Sequence, residues 1–151
     1  MTYTAQVLRR AFPGDALGAV TVYLPDKEEL SRAAAALSGL PCATTWLCQG
    51  GLATTTGFSR LGLFGVQHPS ASLRGRANDT ASVVLYPSHN LDELVAVSEL
   101  HDDTAAAGRP VVVVNGEMDR IRSGYYPAFW AFREMDILRK FTPRFEVGRI
   151  F

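Results

Sequence analysis

Short apolar runs alternate along the chain with stretches of helical spacing, and their order predicts an α/β fold. Tyr3–Phe12 puts Val7, Leu8, Ala11 and Phe12 on one side of a short amphipathic helix, which Pro13 and Gly14 stop. Gly18–Leu24 is β-branched and aromatic and predicts a first strand ended by Pro25. Asp26 then caps a second helix: its carboxylate can accept from the free amides of the first turn, and Glu29 follows as in a capping box. The alanines Ala33–Ala36 carry that helix forward, and Gly39 and Pro41 close it. Cys42–Gly65 mixes short β-prone pieces with glycines and predicts two or three short strands, and Gln67–Thr80 is a polar loop.

The second half repeats the alternation more strongly. Ser82–Tyr86 predicts a buried strand ended by Pro87. Asn90 caps the next helix, with Glu93 at the capping-box position, a buried stripe of Leu91, Leu94, Val95 and Val97, and Gly108 at its end. Val111–Val114 are four β-branched residues without alternation, the pattern of a strand covered on both faces in a parallel sheet. Ser82–Val114 is therefore a βαβ unit with a right-handed crossover, which puts Pro87, Ser88 and His89 on the same sheet edge as Asn115 and Gly116. Pro127 opens a last helix bearing Phe129, Trp130, Phe132, Met135, Ile137 and Leu138, with Arg139 and Lys140 at its negative end. Phe145–Phe151 predicts a final strand that stops without a polar tail, as in a trimmed chain. The expected architecture is a three-layer, Rossmann-like α/β domain with a mainly parallel sheet over residues 1–151.

Composition changes this picture in a few places. A chain of 151 residues suits one domain with a real core. Lys plus Arg and Asp plus Glu balance at 15 each, so net charge gives no argument for nucleic acid or an anionic membrane as partner. No apolar run approaches the roughly 20 residues of a membrane span. Met1–Phe12 lacks the pattern of a cleavable signal, and no Ser- and Arg-rich presequence is seen. Cys42 and Cys48 have neither redox-motif nor zinc-knuckle spacing and read as small core residues. His68, His89 and His101 are scattered, so the sequence predicts no metal site, and no cofactor is expected.

The candidate chemistry concentrates after Val114, because in open α/β sheets ligands bind outside the carboxyl ends of the strands. Glu117, Asp119, Arg120 and Arg122 interleave acids and bases. They can serve as an acid/base pair, or the arginines can pair with the acids and tie the loop to the sheet. Nothing here places a nucleophile beside a base. Gly50, Gly51 and Gly57 invite a phosphate-loop reading, but no GxxxxGK or GxGxxG motif occurs. Arg74 and Arg76 flank Gly75 and are a second candidate anion site. Tyr126 is followed four residues later by Trp130 rather than lysine, which excludes a short-chain dehydrogenase pair.

The segment NGEMDRIRSGYYPAFW, Asn115–Trp130, resembles the plastid and cyanobacterial family called domain of unknown function 1995, whose members carry a similar DRIRSGYYP segment and aromatic helix. The resemblance is carried by Arg109–Tyr126 and extends over Ser82–Phe145. It implies a chloroplast setting, at the stroma or the stromal face of the thylakoid with peripheral membrane association, since members act in photosystem II assembly or are appended to plastid adenylate kinases. Two hypotheses follow. One is a non-catalytic binding module, an accessory or assembly factor of the photosynthetic apparatus, that contacts a protein partner through Arg120, Arg122, Tyr125, Tyr126 and Trp130, since Arg, Tyr and Trp dominate interface hot spots. The other is a Rossmann-like nucleotide- or phosphate-binding enzyme; the missing phosphate fingerprints count against it.

Overall fold

A computed structural model of the chain describes residues 2–47, 75–87, 91–116 and 139–141. It divides into two compact units, Met1–Glu117 and Met118–Phe151. The first unit holds four strands, β1 (Val20–Leu24), β2 (Ala43–Trp46), β3 (Ala81–Leu85) and β4 (Val111–Val114), and three α-helices, α1 (Thr2–Ala11), α2 (Lys27–Leu37) and α3 (Leu91–Ala105). All pairings are parallel, in the order β2-β1-β3-β4. Val83 and Val84 pair with Val112 and Val113, so the two apolar runs of the predicted βαβ unit are indeed adjacent parallel strands.

The layers follow from that order. The chain steps one way from β1 to β2 and the opposite way from β3 to β4, so two right-handed crossovers put α2 and α3 on opposite faces of the sheet. One face carries Val20, Val22, Leu24, Ala81, Val83 and Leu85, buried against Leu8 of α1, Leu17, and Ala33 and Leu37 of α2. The other presents Thr21, Tyr23, Ser82 and Val84, also buried. Leu94, Ala96, Val97 and Leu100 form the buried stripe of α3. At the end of α3, Gly108 adopts φ +67, and the amides of Gly108 and Arg109 donate to the carbonyls of Ala105 and Thr104. This is the glycine-closed helix end that the sequence predicts at Gly108.

Several expectations are corrected. The first strand starts at Val20 rather than Gly18, because Gly14–Ala19 winds into a 3-10 helix that buries Leu17. Ala11 is exposed, whereas Leu8 and the half-buried Phe12 make the inward contacts of α1. β4 is half-buried rather than covered on both faces, with Val112 42 % exposed, because it is the outermost described strand beyond β3. An unbroken valine run reports β propensity as well as double burial, and here propensity accounts for it. Of the strands expected in Cys42–Gly65, β2 is observed; Cys48 and residues 48–74 lie outside the described residues. Cys42 is half-buried against the core, and burial raises its thiol pKa. In the second unit Arg139 and Lys140 are helical and Phe141 is not; the rest of the predicted aromatic helix, from Pro127, and the predicted final strand Phe145–Phe151 lie outside the described residues. Among the described residues no helix is long and apolar enough to cross a membrane, and no cluster of His, Cys, Asp or Glu is arranged to hold a metal.

Candidate functional site

In a sheet of order β2-β1-β3-β4 the connections reverse direction between β1 and β3, and the crevice outside the carboxyl ends of those two strands is where such folds bind ligands. Three segments build this edge. β1 runs through buried Pro25 directly into α2, with Asp26 as its cap. β3 leaves through Tyr86 and buried Pro87, and β4 leaves through Asn115 and Gly116. The edge is held together by backbone bonds: Leu47 N–H donates to the Leu24 carbonyl at 2.8 Å, and Tyr86 N–H to the Val114 carbonyl at 2.8 Å.

Tyr86 and Asn115 stand side by side, one residue past the register pair Leu85 and Val114, and both have positive φ, +36 and +55. Asparagine tolerates the left-handed region; for a tyrosine it costs about 1–2 kcal/mol. Pro87 contributes to the choice, because the residue before a proline is disfavoured in the right-handed helical region by clash with the proline ring. The Tyr86 ring is half-buried against the core, and burial, then the charge of Glu29, raises the pKa of its hydroxyl.

The start of α2 decides what this crevice can accept. Free amides and the helix dipole make such a terminus a natural phosphate seat. Here the seat is taken by the chain's own carboxylate: Asp26 Oδ1 accepts from Glu29 N–H at 2.8 Å. Glu28 and Glu29 add two more carboxylates in the first turn. One turn on, Arg32 Nη1 donates to Glu29 Oε1 at 2.6 Å and its Nη2 lies 3.9 Å from Glu28 Oε2. Arg32 is thus committed to its own helix. The turn from β1 to α2 contains no glycine that would let a pyrophosphate approach the backbone.

Of the residues singled out from sequence, Asn115, Gly116 and Pro87 do share this carboxyl edge. Ser88, His89, Glu117, Asp119, Arg120, Arg122, Tyr125, Tyr126 and Trp130 lie outside the described residues, as do Gly50, Gly51, Gly57 and Arg74. Arg76 belongs to the opposite edge. Its carbonyl accepts from the Arg109 guanidinium, and Gly75 N–H donates to Asp103 Oδ2 at 2.9 Å, which fastens this segment beside the end of α3 and the start of β4. The crevice argument therefore does not reach Arg76. Sequence reasoning placed Asp26 and Glu29 as a cap and Tyr86 as a strand end, without joining them into one site. Only the strand order brings the exits of β1 and β3 together, although Tyr-Pro at 86–87 and Asn-Gly at 115–116 are local signs of abrupt strand exits.

Residues 1–148 match the family described as "Domain of unknown function (DUF1995)", so the likeness read from Arg109–Tyr126 extends back through the amino-terminal half. No curated protein and no solved structure matches the chain significantly.

Proposed function

The chain belongs to the DUF1995 family, and on the geometry of its sheet edge we propose that it is a non-catalytic protein-binding module rather than a nucleotide-dependent enzyme. The observation that carries this reading is the occupied start of α2. Asp26, Glu28 and Glu29 put three carboxylates where a Rossmann-like enzyme seats phosphate, against a single first-turn cation, Lys27, while Arg32, one turn on, is paired with Glu28 and Glu29. Repulsion and occupancy both oppose a polyphosphate there. The setting we assign is that of an accessory or assembly factor of the photosynthetic apparatus, in the chloroplast at the stroma or stromal thylakoid face, supported by the likeness of Asn115–Trp130 to plastid and cyanobacterial members. The contact residues assigned from sequence are Arg120, Arg122, Tyr125, Tyr126 and Trp130, whose types suit the desolvated centre of an interface.

The test pairs a charge reversal, Arg122→Glu, with a truncation, Tyr125→Ala, each first shown by circular dichroism to fold. Loss of partner co-purification from stromal and thylakoid extract supports the assignment; wild-type recovery of the same partners by both variants removes the segment from the interface. The reversal of connections between β1 and β3 favours a second reading, nucleotide or phosphate binding in the crevice. A ligand present at 100 times its Kd stabilises the folded state by about 2.7 kcal/mol, which would raise Tm by roughly 5–15 °C. Such a rise with millimolar ATP or NAD would reverse the ranking of the two readings.

A further inference from the structure

Among the described residues, three buried side-chain polar atoms have no hydrogen-bond partner in the protein: Thr21 Oγ1, Asp79 Oδ2 and Arg109 Nε. All three lie toward the amino edge of the sheet, and the charges of Asp79 and Arg109 act on Tyr23, which shares its sheet face with Thr21. Thr21 pairs in register with Ser82, and Ser82 with Val111, so Thr21 and Ser82 sit side by side at the start of β1 and β3. Asp79 lies two residues before β3 and Arg109 two residues before β4. These last two converge on one atom, since the carbonyl of Arg76 accepts from both the Asp79 amide and the Arg109 guanidinium. Tyr23, on the same face as Thr21, links the groups. Its hydroxyl shares a hydrogen bond with the Ser82 side chain and lies in the fields of Asp79, Arg109 and Arg76.

The chemistry of the three atoms specifies what fits between them. Asp79, 5 % exposed, offers a carboxylate oxygen that needs a donor; Arg109 Nε–H needs an acceptor; and the Thr21 hydroxyl takes either role. With Arg76 and Asp103 counted beside Asp79 and Arg109, two guanidiniums and two carboxylates leave the surroundings without net charge, which disfavours an ion. Each of the three atoms is closed to bulk solvent, which excludes anything that must come and go through an open mouth. We propose that this amino-edge cluster is an internal water site, in which a water molecule donates to Asp79 Oδ2, accepts from Arg109 Nε and completes the Thr21 hydroxyl. Buried waters typically make about three hydrogen bonds to polar groups that the chain itself leaves unpaired. The bound water then belongs to the fold, joining the start of β1 to the segments that lead into β3 and β4.

The experiment is oxygen-17 magnetic relaxation dispersion on the full chain, which counts long-lived internal waters, combined with thermal unfolding of the near-isosteric variant Thr21→Val and the hydroxyl-retaining variant Thr21→Ser. The wild type is expected to show a dispersion step that Thr21→Ser keeps and Thr21→Val diminishes, with Tm lowered by about 3–6 °C in Thr21→Val. A wild type without a step overturns the proposal whether or not the variants fold. So does a Thr21→Val variant with raised Tm or an unchanged step, because the hydroxyl would then be merely unpaired. Release of an organic molecule from the denatured wild type, seen by mass spectrometry, overturns the assignment of water as the occupant.

Discussion

The carboxylate at the start of α2 is the best place to perturb the site, because cap and charge can be separated there. Asp26→Ala removes the acceptor of the 2.8 Å bond from Glu29 N–H and leaves a first-turn amide to water. Loss of such a cap costs about 1 kcal/mol, and loss of a negative charge beside the helix start adds roughly 0.3–1 kcal/mol. Asp26 is exposed, so water replaces part of the bond and the sum lies at the lower end, about 1–1.5 kcal/mol. Asp26→Asn keeps an oxygen acceptor and loses only the charge contribution. In urea unfolding followed by circular dichroism, Asp26→Ala should lower the midpoint by at least twice as much as Asp26→Asn, with the slope m unchanged in both, since neither alters the surface exposed on unfolding. Neither should bind nucleotide, because Glu28 and Glu29 remain in the first turn. Equal destabilisation by the two variants would mean that charge, not capping, fixes this turn. A stabilising response of the wild type to inorganic phosphate would refute the argument that the seat is already filled.

Three further outcomes follow from the packing. Val83→Ala, at a fully buried site in β3, should cost on the order of 2 kcal/mol, whereas Val112→Thr on half-exposed β4 should stay within about 0.5 kcal/mol by chemical denaturation. Comparable losses at the two positions would restore the reading of β4 as covered on both faces. Gly75→Ala should lower Tm measurably, because an added Cβ would lie 2.7 Å from Thr104 Cγ2 and push the segment away from Asp103. Burial first, and then a nearby carboxylate, raise the hydroxyl pKa of Tyr23 and Tyr86 above its value in the unfolded chain. Their contribution is therefore complete below about pH 10 and lost as pH rises through the folded-state values. Urea midpoints from pH 8 to 11 should fall steeply above pH 10, and less steeply in Tyr23→Phe.

The parallel βαβ unit was legible because its evidence is local: two apolar runs, a helical stripe between them and a glycine at Gly108 where a left-handed residue is required. The cap at Asp26 was legible for the same reason. The position of β1 at the centre of the sheet was not, since strand order depends on contacts between distant segments that leave no periodic trace. That is why attention fell on the exit of β4 rather than on the crevice between β1 and β3. The edge that Arg76 borders was hidden by the same gap, because a polar loop does not reveal which edge of a sheet it adjoins. The burial of Glu93, 1 % exposed at the start of α3, was likewise not legible, since its capping-box position says nothing of how deeply the side chain sits.

Native mass spectrometry of the tagged chain, isolated under mild conditions from its own organism, tests the central claim most directly because one spectrum reports both proteins and small ligands. The account predicts the mass of this chain plus that of a protein partner, in fixed stoichiometry, with the partner lost in Arg122→Glu. A free monomer carrying the added mass of a nucleotide would contradict it.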